Sequence, residues 1–257
     1  MGPLFRAARQ SRIFEDVVEQ IEEAILGGKL QAGDRLPPER ELKEMLKTSQ
    51  STLREALRVL EQKGLIEIRL GTGGGAVVKS ISSDQISQSL GLLIRSRQVT
   101  LRQLAEFRER FEGDVVALAA SRVGGTDLAP LHRHLEEAAR CARGGEATLM
   151  GFLEADKEIH LFFAKMTRNP IYISILRTVH DNISRYFKRY LVMATREMEE
   201  NLADLCDVVA AVERGDGETA RSRLQAHIRR FNAYMERHPE AARSETDGGA
   251  ADHQEPD

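Results

Sequence analysis

Between Arg35 and Val78 the apolar positions follow one period and then another. Leu42, Met45 and Leu46 recur at helical spacing, with Arg40, Lys43 and Lys47 mostly off that face, which predicts a short helix that is apolar on one side. Pro37 and Pro38 suit its first turn, where an N–H has no intrahelical partner, and Glu39 and Glu41 lie beside the positive end of the helix dipole. The polar run Thr48 to Thr52 interrupts the pattern, and Ser49 is a natural N-cap for a second helix starting near Gln50. That helix buries Leu53, Ala56, Leu57 and Leu60, leaving Gln50, Ser51, Arg54 and Arg58 on or near the opposite flank. Gly64 can end it in a left-handed cap, and Leu65 to Arg69 alternates as a half-buried strand. Gly71, Gly73, Gly74 and Gly75 form a tip, from which Ala76-Val77-Val78 returns.

A helix, a turn, a second helix and a glycine-tipped hairpin are the layout of a winged helix-turn-helix, which reads double-stranded DNA. The surface choices agree. Arg54 can donate two hydrogen bonds to a guanine edge, and Ser51 and Thr52 are short enough to let the helix approach the major groove. A tip of glycines lets backbone N–H groups come close to phosphate.

From Ile86 onward strand signals nearly vanish. Thr100 and Gln103 form a capping box before Leu101, Leu104, Phe107, Phe111, Val115 and Leu118, and Asp127 is read as the cap of a helix from Leu128 to Arg140. Further helices are expected at about 148–167, 170–193, 198–214 and 218–237. The fold class is therefore mainly α: an N-terminal winged helix-turn-helix (α+β) at 10–79, a linker at 80–85, an all-α bundle at 86–238, and a disordered acidic tail at 239–257.

The net charge of -3 argues weakly against a nucleic-acid binder, but residues 239–257 hold six acids against Arg243 alone. Residues 1–79 carry 13 Lys and Arg against 12 Asp and Glu, so DNA binding must rest on where the arginines sit. Cys141 and Cys206 lack any CxxC spacing, and no apolar run approaches membrane-spanning length, so the chain is expected to be cytoplasmic and to engage no membrane.

One constellation in the bundle carries chemical potential. Asp156 and His160 share a helix face, and His227 lies beside Leu224 and Ile228 in the final helix; together they can bind a divalent metal, whereas the bland alternative is a surface pair and a satisfied core histidine. Two histidines and a carboxylate are also the triad of non-haem iron oxygenases, but those sites sit on strand scaffolds that this half lacks. A pure interaction scaffold would have no use for Arg54 or for the glycine tip.

The stretches Gly33 to Leu42, Leu53 to Arg58 and Gly64-Leu65-Ile66 resemble the N-terminal domain of the GntR family of bacterial transcription regulators. That resemblance implies Arg40 and Arg54 as DNA contacts, supported by Ser49, Ser51 and the wing glycines. Gln50 stands where the family usually has an arginine, and its amide prefers an adenine edge. Arg108 with Glu112, Ala117 to Ala120, Asp156 to His160, Asn169-Pro170, Gly215-Asp216 and Ala220 to His227 resemble the FCD effector domain of the FadR subfamily. It implies a homodimer on a palindromic operator, a repressor by preference, and a metal (zinc, nickel or manganese) held by an Asp and three His with a small carboxylate effector. Asp156, His160 and His227 match three of those positions, and Leu205 stands at the fourth; Asp204 and Cys206 flank it, each turned by roughly 100° from the site. Two mechanisms follow: a three-ligand metal that an organic acid docks on, or a metal-free pocket for an effector such as an acyl-CoA thioester. Arg108, Arg185 and Arg189 are candidate anion partners in either case.

Overall fold

The computed structural model describes residues 12–71, 74–80, 82, 84–95, 99–191 and 193–236, which divide into two compact units between Gln85 and Ile86. Gly73 and the tail 239–257 lie outside the described residues, as do the side chains of 185–190, and with them the expectations stated for those positions.

The first unit runs α1 (Arg12–Leu26), α2 (Glu39–Met45), α3 (Gln50–Gln62), β1 (Ile66–Arg69) and β2 (Gly75–Val78). Val17, Val18, Ile21 and Ile25 give α1 one apolar stripe, which is buried in a common core with Leu53, Ala56, Leu57 and Leu60 of α3. Each such aliphatic side chain contributes about 1.5–3 kcal/mol on full burial. Leu42 of α2 and Ile66 and Val78 of the hairpin close the same core. Ser49 caps α3, its side chain accepting from the backbone N–H of Thr52 at 3.1 Å. The chain leaves α3 through Gly64, at φ +71°, and the Leu65 N–H returns to the Leu60 carbonyl at 3.0 Å.

β1 and β2 pair antiparallel from Ile66 opposite Val78 to Arg69 opposite Gly75, and Arg35 adds a bridge to Val77 on the outer side. At the turn the Gly74 N–H donates to the Gly71 carbonyl at 2.8 Å. A Cβ on Gly74 would fall 2.3 Å from the Arg69 carbonyl oxygen and 2.9 Å from that of Gly71, both backbone atoms of the wing itself. Gly74→Ala is therefore expected to cost about 1–3 kcal/mol, the ordinary penalty of overpacking. Urea unfolding of the full chain checks this, since an unshifted midpoint for the first unit would mean that the tip relaxes freely.

The second unit contains α4 (Asp84–Arg95), α5 (Leu101–Ser121), α6 (Ala129–Gly144), a 3-10 turn (Gly145–Thr148), α7 (Leu149–Met166), α8 (Pro170–Tyr190), α9 (Thr195–Glu213) and α10 (Gly217–Glu236). The Thr100 and Gln103 capping box opens α5, with both reciprocal bonds made. Three local expectations shift. α4 begins at Asp84, inside the stretch read as a linker. α6 begins at Ala129, so Leu128 holds the cap position; Asp127 instead accepts from the Ala129 N–H at 3.0 Å, and Pro130 occupies the first turn. Thr148 belongs to the 3-10 turn, where its hydroxyl bonds the Cys141 and Gly145 carbonyls, so α7 starts one residue later.

α7 is buried on nearly every side, as a central helix must be, with α5, α6, α8 and α9 packed around it. The apolar interior falls into two clusters. One holds Ile159, Phe163, Leu205, Leu224 and Ile228; the other holds Phe152, Ala155, Met198, Phe231 and Met235. No described helix is long and apolar enough to cross a membrane.

Candidate metal centre and nucleic-acid interface

The boundary between those clusters is polar. On α7 Asp156 falls at it, with His160 one helical turn on, and on α10 His227 lies beside it, next to Ile228. All three side chains are buried, and their donor atoms converge: His227 Nε2 lies 3.2 Å from Asp156 Oδ1, and His160 Nε2 lies 3.3 Å from His227 Nε2 and 3.8 Å from Asp156 Oδ1. Donors that each sit about 2.1 Å from one ion are themselves spaced by roughly 3–3.5 Å, so this set fits a single divalent cation.

The surroundings of His160 set its tautomer. Glu112 of α5 lies within hydrogen-bonding distance of His160 Nδ1 and takes His180 Nε2, from α8, at 3.2 Å. Its other oxygen accepts from Arg108 Nε at 2.6 Å. Burial pushes the Glu112 carboxyl up, but Arg108, His180 and His160 outweigh it and hold the group well below its ordinary range. An ionised carboxylate only accepts, so His160 Nδ1 and His180 Nε2 are the donors, and the lone pair of a neutral His160 is left on Nε2, facing Asp156 and His227. A carboxylate that orients a histidine from behind is the usual support of a metal ligand. Burial likewise lowers the pKa of His180, with Glu112 opposing.

Asp156 is the group whose hydrogen bonding is incomplete. Burial pushes its pKa up, yet His160, His227 and Arg108 bring it down to about 2, so it is ionised. The guanidinium of Arg108 is already spent on Glu112, and Asp156 Oδ1 is enclosed without a well-formed hydrogen bond among the described residues, as is His227 Nδ1. A buried negative charge beside two imidazole nitrogens is costly unless a cation is shared there. Glu112, His160 and His180 form a second grouping of possible donors. Glu112 in that grouping is already committed to Arg108 and two ring N–H groups, so the Asp156 set is the better donor set.

The sequence reading thus paired Asp156, His160 and His227 as the structure does, and missed Glu112 and His180 as their support. Arg108, expected to face an anion, is buried and paired with Glu112 instead. A cavity of about 20 Å³ beside it, between α5, α8 and α10, has room for about one water. Neither neighbour of Leu205 turns into the site: Asp204 pairs with Arg230 at 2.8 Å and Cys206 is exposed, as their angular offset demands, while Leu205 is fully buried.

In the first unit, Gln50, Ser51, Arg54 and Arg58 form the exposed flank of α3, and Arg40 is exposed on α2. Arg54 Nε bonds Glu39 Oε2 at 2.9 Å, and Gln50 Nε2 reaches the same oxygen at 3.4 Å. The hydroxyl of Ser49 is engaged in the cap and lies 2.9 Å from that of Ser51 and 2.8 Å from that of Thr52. Gly71, at φ +94°, stands at the base of the wing tip.

Residues 13–78 match the model for bacterial regulatory proteins of the gntR family, and residues 103–230 match the FCD domain. The HTH-type transcriptional regulator LutR of Bacillus subtilis is 28% identical over 216 residues, covering 79% of this chain and 92% of its own. The Glc operon transcriptional activator of Escherichia coli is 31% identical over 170 residues, 66% of each chain. Among solved structures, a GntR protein of Streptococcus agalactiae has a TM-score of 0.66 at 24% identity, covering 86% of this chain and 99% of that one, a likeness of fold.

Proposed function

This chain belongs to the gntR family of bacterial regulatory proteins and carries an FCD domain, and on that premise we propose that its bundle senses a small organic acid through a divalent metal and adjusts how the winged unit binds its operator. That it is a DNA-binding transcription regulator follows from the family; its relatives are regulators, not enzymes, so the iron-oxygenase alternative gives way. Asp156, His160 and His227 would hold the ion, with Glu112 orienting His160. Bound there, the metal would supply a Lewis-acidic point for a carboxylate. The convergence of a buried, ionised Asp156, whose Oδ1 lacks a well-formed hydrogen bond among the described residues, with two imidazole nitrogens is the observation that carries this reading.

A small acid is the proposed effector because the buried donor set of Asp156, His160 and His227 offers a metal on which a carboxylate can dock. DNA contact is assigned to Arg40, Ser49, Gln50, Ser51, Thr52, Arg54, Arg58 and the wing at Gly71 and Gly73. A homodimer on a palindromic site is proposed because a single recognition helix reads too few bases for selectivity. Repression is the proposed sign, since it asks only for occupancy of DNA and no further contact surface. The relatives include both a repressor and an activator, so a reporter assay with and without the gene decides the sign.

The sensing claim has a direct test. Protein loaded separately with zinc, nickel and manganese is titrated with its selected operator in the presence of a panel of small mono-, di- and hydroxycarboxylic acids. At least one acid should shift operator affinity about 5–150-fold, the usual range of allosteric coupling. Metal-loaded protein whose operator affinity no acid alters would sink it.

A further inference from the structure

We infer that the outer face of α4 is the surface on which two copies of this chain pair; the inference rests on the homodimer reading above and names the face that holds it. From Gln85 to Ile94 this helix carries no Asp, Glu, Lys or Arg, where the chain's 30% share of charged residues would put about three. One side of it faces inward. Gly91 is buried, Ser87, Leu90 and Ile94 are half-buried, and the Ser87 carbonyl oxygen lies 3.5 Å from Asn182 Nδ2 on α8. The other side is exposed and apolar as well, with Ile86 at 56%, Leu92 at 64% and Leu93 at 44%. At 100° per residue these three and Ser89 fall within an arc of roughly 120°. A stripe that wide is what a helix ordinarily turns toward a core, and large apolar side chains exposed together mark a contact surface.

Charge, chain geometry and elimination each point to a second copy as the occupant. A two-fold axis lays a face against itself, so a charge on that face meets its own copy or a near neighbour. A stripe without charges escapes that repulsion. Ser89, small and central in the arc, lets the two helices approach to about 8–10 Å.

The place of α4 in the chain fits the same partner. Five residues, 79–83, separate Val78 of β2 from Asp84 of α4, a reach of at most about 20 Å. Two such linkers together span up to about 40 Å, so copies joined at α4 can still serve half-sites roughly 34–36 Å apart. The acidic end of the chain is no rival occupant, since residues 239–257 contain no Leu, Ile, Val, Phe or Met.

The test measures self-association of the full chain, without DNA, by sedimentation velocity over a range of concentrations. Ser89 is exposed, so Ser89→Glu and Ser89→Lys should fold as the parent does, which circular dichroism and the thermal midpoint check. Each new charge would face its own copy. Each variant alone is expected to weaken dimerisation at least about a hundredfold, because like charges set opposite one another across an interface are strongly unfavourable. An equimolar mixture of the two is expected to dimerise again, since opposite charges then meet. A merely destabilised α4 would give no such recovery. If the parent is a dimer and both variants dimerise as it does, the copies pair elsewhere and another part of the same chain, such as residues 1–11, covers α4. Variants that dissociate without recovery in the mixture also overturn the inference, because Ser89 then does not meet its own copy. A parent that stays monomeric at every concentration removes the homodimer reading itself, and this inference with it.

Discussion

Arg54→Ala is expected to weaken operator binding by about 1–3 kcal/mol and to relax selectivity at one base position. The residue sits on the exposed flank of α3, one turn in from the Ser49 cap, where the N-terminal part of a recognition helix meets base edges. Its guanidinium is held by Glu39 at 2.9 Å, with side-chain exposures of 59% and 41% for the two partners. An exposed pair of this kind is worth about 0–1 kcal/mol, so it aims the arginine without competing seriously with a guanine. The fold should therefore be indifferent to the substitution, because Leu53, Ala56, Leu57 and Leu60 carry the packing of α3 from the other side. Quantitative mobility shifts against the selected operator and its single-base variants separate the outcomes. A uniform loss across all variants would make Arg54 a phosphate contact, and parental affinity would remove it from the interface. Glu39→Gln, which releases the guanidinium and removes a negative charge from the DNA-facing side, should move affinity the opposite way.

What the amino-acid order made legible was what depends on neighbours in sequence. Pro37-Pro38, the Ser49 cap, Gly64 and the glycine tip each act within a few residues, so the helix, turn, helix and hairpin could be placed from them. The same kind of signal lies in Val17, Val18, Ile21 and Ile25, which form the α1 stripe ahead of the stretch that was read. Asp156 and His160 were legible as a pair because four residues bring side chains to one helix face. Glu112 and His180 were not, since they reach His160 across 48 and 20 positions through the packing of α5 and α8 on α7. Glu112 in isolation reads as a surface partner for Arg108 at i,i+4, and only the burial of both shows otherwise.

Replacing Asp156 with alanine is expected to abolish stoichiometric metal uptake, and Glu112→Gln to weaken it by about 10–100-fold, although Glu112 would touch no ion. The two losses have different origins. Asp156 is the charged donor of the set, and removing it leaves two neutral imidazoles with nothing to offset the desolvation of a dication. Glu112 acts from behind: its carboxylate keeps the proton on His160 Nδ1 and so the lone pair on Nε2, which faces Asp156 and His227. Glutamine in its place keeps an acceptor but can present an N–H to the ring, which allows the other tautomer and turns the lone pair away. It also strands the guanidinium of Arg108, which is 7% exposed and has Glu112 as its described ion-pair partner. Breaking a buried pair in this way costs about 3–5 kcal/mol, so Glu112→Gln should lower the thermal midpoint of the metal-free protein as well. Asp156→Ala should lower it less, because the same pull of His160, His227 and Arg108 that brings Asp156 down to about 2 is lost but no buried guanidinium is stranded. Metal content by elemental mass spectrometry, set beside metal-free unfolding of both variants, tests the assignment. If Asp156→Ala lowered the metal-free midpoint as much as Glu112→Gln and metal content were unaffected in both, the cluster would be a structural ion network rather than a metal centre.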